Sequence, residues 1–360
     1  MPKAMIAMSG GVDSSVAAHL MGQQGFDCVG ATMKLLAGDG GCGGGRTCCS
    51  MDDALDAKAV ARALGFPHYT LNFTGEFADA VIRRFADAYA AGRTPNPCID
   101  CNRYIKFEGL LRRARALDCD VLATGHYARV EKSPGGRMLL CRAADGQKDQ
   151  TYFLYTMTQE QLGVTRFPLG DLHKSQVREI AGSLGLPTAQ KRDSQDICFV
   201  PDGDYAGFLE ALRPGLCRPG PFVGEEGAVL GRHQGIARYT VGQRRGVGLP
   251  GPEPFYVSAV CAADNTVTVA RESRLYHTRL TAGDINLIAV DRLTRPVRVM
   301  AKIRSAQAAQ PALAEQTSPG ELSVVFDTPQ RAITPGQAVV LYDGGYVLGG
   351  GVIQSAGDAR

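Results

Sequence analysis

Ser9-Gly10-Gly11-Val12-Asp13-Ser14-Ser15 is the stretch of this chain best equipped for chemistry. It follows an apolar run at residues 4–8 and opens a helical pattern over 12–24. Two glycines let the backbone approach a ligand closely, and the N–H groups at a helix start favour an anion. Three hydroxyls surround them. No GxxxxGK[ST] occurs anywhere, so the loop is suited to phosphate without a lysine that follows a γ-phosphate. Asp13, in the first helical turn, is expected to serve Mg²⁺ or to hydrogen-bond the loop rather than face bare phosphate. The bland reading is a glycine-rich turn with a serine cap. Two GxGxxG matches are decoys. Residues 38–43 have no helix directly after them, and residues 246–251 run into Pro252 and Pro254, which cannot open a dinucleotide-binding helix.

The cysteines are the second resource. There are eleven, an odd number, which does not suit a disulfide framework. Cys28, Cys119, Cys141 and Cys261 sit in strand-like surroundings and read as small core residues. Pro95-Asn96-Pro97-Cys98-Ile99-Asp100-Cys101-Asn102 holds the single CxxC. That spacing suits a metal half-site, a redox pair or a turn, but zinc usually wants a second CxxC. The prolines in front of the pair argue against a thioredoxin-type helix. Asp193-Ser194-Gln195-Asp196-Ile197-Cys198-Phe199 holds another cysteine, which alone reads as core. Thr124-Gly125-His126-Tyr127 ends an apolar strand, the place where α/β sheets put ligands.

These groups need a scaffold, and the chain is long enough to supply one. Its 360 residues suggest two or three domains, and 44% hydrophobic with 21% charged residues is ordinary globular composition. The net charge of +3 and this hydrophobicity exclude a disordered chain. No apolar run reaches membrane-span length, and the N-terminus lacks the features of a secretion signal, so a cytoplasmic setting without membrane association is expected.

Over the first 125 residues strands alternate with helices. Strands are expected at 4–8, 26–33, 68–72 and 121–124, and helices at 12–24, 52–64, 76–91 and 104–117. This spacing implies βαβ units and a parallel sheet. Residues 37–50 are glycine-rich and read as a mobile loop. After about residue 200 the pattern turns all-β, with short runs at 255–260, 266–270, 297–303, 322–326 and 338–342, as in a small barrel. Residues 101–150 carry 10 Lys/Arg against 6 Asp/Glu, and 218–245 carry 5 against 2. The two basic stretches suit a polyanion, or simply a solvated surface.

The loop resembles the PP-loop of ATP pyrophosphatases, which split ATP between its α and β phosphates. Taken with GRTPNPC, LATGHYARV, KDQTYFLY, DSQDICF, YTVGQRRGVGL and TPGQ, the chain resembles the tRNA-specific 2-thiouridylase (MnmA) family nearly end to end. The resemblance implies an α/β fold: a parallel-sheet PP-loop catalytic domain over 1–200, a small central domain over 201–272 and a C-terminal β-barrel over 273–360 that binds tRNA. It implies replacement of the C2 oxygen of a wobble uridine by sulfur, with ATP and Mg²⁺ as cofactors. The partners it implies are that tRNA and a sulfur-relay or cysteine desulfurase donor.

By motif matching, Ala7, Met8, Ser9, Gly10, Gly11, Val12, Asp13, Ser14, Met33 and Gly125 go to ATP. Cys198 matches the persulfide carrier, and Cys101 matches the partner that liberates sulfur by forming a disulfide with it. Asn96, Pro97 and Cys98 match the segment touching the target base. His126, Lys148, Asp149, Gln150, Arg304, Ser305 and Gln337 match tRNA contacts. Some family members have Asp where this chain has Cys98, so no carboxylate role transfers there. Some have Tyr where this chain has Ser305, so no ring contact transfers. A second reading of the thiolation chemistry places a [4Fe–4S] cluster on Cys98, Cys101 and Cys198. Two other readings are a different PP-loop ATPase, such as an amide ligase, and a non-catalytic RNA-binding module with a structural metal on Cys98 and Cys101.

Overall fold

The computed structural model describes residues 1–36, 51–191, 197–200 and 203–358. The glycine-rich stretch 37–50 and the DSQD part of the Cys198 motif lie outside the described residues. The chain divides into two compact units, one of Met1–Val81, Cys98–Gly203 and Gly345–Val347, the other of the remaining segments.

The first unit is built on five parallel strands: β1 (Lys3–Ala7), β2 (Asp27–Lys34), β3 (His68–Asn72), β4 (Val121–Thr124) and a short final strand at Thr165–Arg166. They lie in the order β3-β2-β1-β4 with Thr165–Arg166 outermost. Ala4, Met5 and Ile6 are fully buried, as expected of a strand covered on both faces. Helix α1 (Val12–Gln23) follows β1, and α2 (Met51–Leu64) follows β2. Val16, Ala17 and Ala18 of α1 share one buried cluster with Val60 and Ala61 of α2 and with Val177 and Ala181 of helix Lys174–Ser183. The chain adds strands on one side of β1 and then crosses to β4 on the other. A topological switch point therefore lies between the carboxyl ends of β1 and β4, where open parallel sheets bind ligands.

Residues 97–116 are helical, with the wider π geometry over Cys101–Leu110. Both cysteines of the CxxC lie on this helix. Pro97 is its first residue, where the missing N–H costs nothing and the fixed φ favours the helix.

The second unit holds a four-stranded sheet and a barrel. The sheet contains Gly220–Val223, Val229–His233, Tyr256–Cys261 and Thr266–Ala270. Phe222, Val257, Val267 and Val269 form its buried face. Cys261, expected in the core, is exposed. It ends a strand whose last four positions alternate between half-buried and exposed, and falls on the solvent side. Cys28, Cys119 and Cys141 are buried as expected, and burial pushes the Cys141 thiol up to about 11. Six antiparallel strands between Tyr276 and Gly357 then close on themselves, because Tyr276–Leu287 pairs with Tyr346–Gly357. Leu280, Val299, Val324, Leu341 and Ile353 lie in the barrel core. Among the described residues no helix is long and apolar enough to cross a membrane.

Candidate active site

The loop after β1 is shaped by its own hydroxyls and by two close backbone approaches. Ser14 Oγ accepts from the Ser9 amide at 3.2 Å and donates to the Gly11 carbonyl at 3.1 Å. Ser15 Oγ donates to the same carbonyl at 2.9 Å. Gly10 has φ +69°, and a Cβ there would collide with the Asp53 carbonyl, so only glycine fits. At the end of β4, a Cβ on Gly125 would stand 2.7 Å from the Ser14 amide nitrogen. The two loops of the switch point thus meet backbone to backbone. Gly11 caps α1 without a side-chain hydrogen bond, so no side chain of the cap occupies the amides at the helix start. A phosphate-bearing ligand fits this cradle. Met33, partly exposed on β2, pairs in register with Leu71 of β3.

Asp13 is not presented bare. Lys174 Nζ donates to both its carboxylate oxygens at 2.7 Å, and Tyr127 Oη donates to Oδ1 at 2.8 Å. Nearby, Lys191 Nζ donates to Asp53 Oδ1 at 2.6 Å and Asp56 Oδ2 at 2.7 Å. That ion pair ties the chain just before the Cys198 motif to α2.

Cys98 is exposed, while Cys101 and Cys198 are partly buried. Cys198 lies in a turn closed by the Val200 amide on the Ile197 carbonyl. Its neighbour Phe199 is buried and packs edge-on against Phe77, with ring centres 5.7 Å apart. The core position belongs to Phe199 rather than to the cysteine. Asn102, 3% exposed, donates from Nδ2 to the Phe153 carbonyl. Among the described residues no three His, Cys, Asp or Glu side chains gather in a metal-holding group. Cys98, Cys101 and Cys198 therefore do not form a ready-made cluster site.

His126 is buried, with Nδ1 2.8 Å from Thr124 Oγ1 and Nε2 3.4 Å from Lys106 Nζ. An ammonium only donates, so Nε2 is the acceptor and Nδ1 carries the proton. Burial, and then the Lys106 charge, hold this imidazole well below its ordinary value. Gln150 Oε1 accepts from the Tyr127 amide, and Asp149 accepts from the Ala143 amide and the Thr151 hydroxyl. Lys148 is half-buried beside them. In the second unit, Gln337 Nε2 donates to the Thr94 and Pro95 carbonyls, next to Asn96 and Pro97. Arg304 Nη2 donates to the Val241 and Ala332 carbonyls and to Thr334 Oγ1, and Ser305 follows it, half-buried.

Three family models match in succession: the tRNA methyl transferase HUP domain over residues 2–202, the tRNA methyl transferase PRC-barrel domain over 207–271 and the Aminomethyltransferase beta-barrel domain over 277–353. A tRNA-specific 2-thiouridylase MnmA of Acetivibrio thermocellus is 48% identical over 361 residues, covering 98% of this chain and 99% of its own. Its namesake in Clostridioides difficile is 46% identical over 355 residues, covering 98% of each. The chain belongs to the tRNA-specific 2-thiouridylase family. A third family member, from Heliobacterium modesticaldum, is 49% identical over 352 residues, covering 97% of this chain and 91% of its own.

Reading motifs in this 2-thiouridylase family chain passes over Lys174, Tyr127, Lys191 and Lys106. Tyr127 lies inside a stretch that stood out, but its hydroxyl role depends on where α1 begins in space. Lys174 is a lone lysine 161 residues from the carboxylate it binds, and no local spacing signals that contact. Ion pairing also bears on the first basic stretch. Arg113, Arg115 and Arg129 pair with Glu76, Glu160 and Glu131. Arg244 and Arg245, in the second stretch, are exposed.

Proposed function

We propose that this chain uses ATP to replace the C2 oxygen of a tRNA wobble uridine by sulfur. The observation that carries the reading is the glycine cradle at the β1/β4 switch point. Its loop suits a phosphate-bearing nucleotide, and its unit also contains Cys101 and Cys198. Ala7–Ser14, Met33 and Gly125 hold ATP. Mg²⁺, when bound, would neutralise phosphate charge, while both carboxylate oxygens of Asp13 are engaged by Lys174 and Tyr127.

Uracil C2 is a poor electrophile and its oxygen a poor leaving group. Attack of that oxygen on the α-phosphorus breaks the Pα–O–Pβ bond, expels pyrophosphate and releases the N3 proton. The oxygen is then part of AMP and leaves easily. A Cys198 persulfide, loaded by a cysteine desulfurase or sulfur-relay donor, attacks C2 through its terminal sulfur as AMP departs. The Cys101 thiolate next attacks Cys198 Sγ. A Cys101–Cys198 disulfide forms, and the broken S–S bond leaves its electrons on the sulfur now bound to C2. An external thiol reduces the disulfide before the next turnover.

Asn96, Pro97 and Cys98 meet the target base. His126, Lys148–Gln150, Arg304, Ser305 and Gln337 serve tRNA. For Arg304 and Gln337 that service includes holding the backbone at 241, 332 and 94–95, where their side chains are engaged.

The test is pyrophosphate release by purified protein. Release that needs both tRNA and ATP, in a reaction without any methyl donor, supports uridine activation. Release with ATP alone, or with an amine acceptor in place of tRNA, favours another PP-loop ATPase. No release under any of these conditions rejects the proposal.

A further inference from the structure

Lys148–Gln150, the segment matched to tRNA, belongs to a turn that is hydrogen-bonded to both residues holding Asp13. One link runs through Tyr127. The Gln150 amide donates to the Tyr127 carbonyl at 2.9 Å, and the Tyr127 amide donates back to Gln150 Oε1 at 2.9 Å. The Tyr127 hydroxyl reaches Asp13 Oδ1. The other link runs through Asp145, whose side chain is 13% exposed. Its carbonyl accepts from the Lys148 amide, and its Oδ1 accepts from the Gln147 amide at 3.1 Å. Its Oδ2 accepts from the Lys174 amide at 3.0 Å, and Lys174 carries the ammonium bound to Asp13.

The chain beyond the turn is held firmly. Asp149 accepts from the Ala143 amide and the Thr151 hydroxyl, the Phe153 amide donates to the Gln150 carbonyl, and Tyr152 and Leu154 are buried. A shift of Lys148–Gln150 on meeting RNA is therefore carried into Tyr127 and the start of helix Lys174–Ser183. Both side-chain contacts of Asp145 are charge-assisted bonds to backbone amides, stronger than neutral ones, so the start of that helix follows the turn. Asp13 stands in the first turn of α1, at the helix end suited to phosphate. Settling the turn settles the two groups that hold Asp13, and a nucleotide then meets a loop that needs less ordering.

We propose that Asp145 is a positioning residue that couples the tRNA-binding turn to the phosphate loop, so that tRNA and ATP each tighten the binding of the other. The proposal rests on the reading above of tRNA and ATP as co-substrates. The competing account is a helix cap, a carboxylate at the first amide of helix Lys174–Ser183 that stabilises the helix whatever is bound.

The test is calorimetric titration of the full chain with α,β-methylene-ATP, which cannot turn over, without and with saturating unmodified tRNA that carries a wobble uridine. In the wild type tRNA should tighten the analogue about fivefold or more, and the analogue should tighten tRNA by the same factor, as linkage requires. Asp145→Ala should leave the affinity for each ligand alone within about twofold while abolishing most of that coupling. Asp145→Asn should retain part of it, because its amide oxygen still accepts from one backbone amide. If Asp145→Ala does not fold, Asp145→Asn at a matched melting temperature takes its place, with reduced coupling as the expected result. Absence of coupling in the wild type overturns the proposal. So does full coupling in Asp145→Ala with a lowered melting temperature, the mark of a cap alone. Because binding is read without turnover, the two readings fail separately. Coupling that Asp145→Ala abolishes, in a protein that never thiolates tRNA, would reject only the thiolation reading. Wild-type thiolation beside full coupling in Asp145→Ala would reject only this one.

Discussion

Lys174 Nζ lies 2.7 Å from each carboxylate oxygen of Asp13, joining the first residue of one helix to the first turn of the phosphate-loop helix. The pair is mostly shielded, and Tyr127 shares the carboxylate. Asp13→Asn keeps the shape and an acceptor for Tyr127 but loses the charge that holds the ammonium. It should lower the rate of AMP formation about tenfold or more, while costing about 1 kcal/mol of stability, a few degrees in melting temperature. Steady-state kinetics beside thermal denaturation would check this. A normal rate with a markedly lower melting temperature would make the pair purely structural.

The two cysteines should fail at different steps. Cys198→Ser is expected to release pyrophosphate with tRNA and ATP yet transfer no sulfur. Cys101→Ser should accept sulfur on Cys198 and stall before release, trapping tRNA on the protein through a bond that thiols cleave. Gel analysis with and without reductant separates these outcomes. Repeated turnover by either variant with a protein persulfide donor would refute the paired-cysteine route.

Acid should weaken the fold through its buried and half-buried imidazoles. Burial lowers the proton affinity of His126, His68 and His233 below the ordinary 6.5. Between the folded-state values and about 6.5 the unfolded chain binds more protons, so stability falls as pH drops below about 6.5 and is retained above it. His126→Gln should make the decline of melting temperature between about pH 6.5 and 5 shallower. An unchanged slope would mean that His126 is protonated as readily in the fold as outside it.

Binding of tRNA should depend on salt through Arg244 and Arg245, both exposed in the second basic stretch. Replacing both by Ala should reduce affinity and flatten the log K against log salt plot by about 1 to 2 units, as counterion release requires. Filter binding over a salt series measures it. An identical slope in the double variant would place the RNA elsewhere.

Much of this architecture was legible because its signals are local. Strands at 68–72 and 121–124 coincide with the observed ones. Gly10 and Gly125 could be singled out from motif position, and the close backbone approaches explain why glycine stands at both. What stayed hidden depends on distance in sequence. The Lys174–Asp13 pair and the barrel closure between Tyr276–Leu287 and Tyr346–Gly357 join segments that share no local pattern. Pro97 stands at the first helical position, where a proline starts a helix rather than breaking it. Cys261 misled because strand context alone does not tell which face a residue takes.

Nucleoside analysis of tRNA tests the central claim most directly. Purified protein, ATP, Mg²⁺, unmodified tRNA and a persulfide donor should yield 2-thiouridine at the wobble position, with AMP and pyrophosphate released in equal amounts. Full tRNA recovery with no thiolated nucleoside, or a methylated uridine formed when a methyl donor is added, would contradict it.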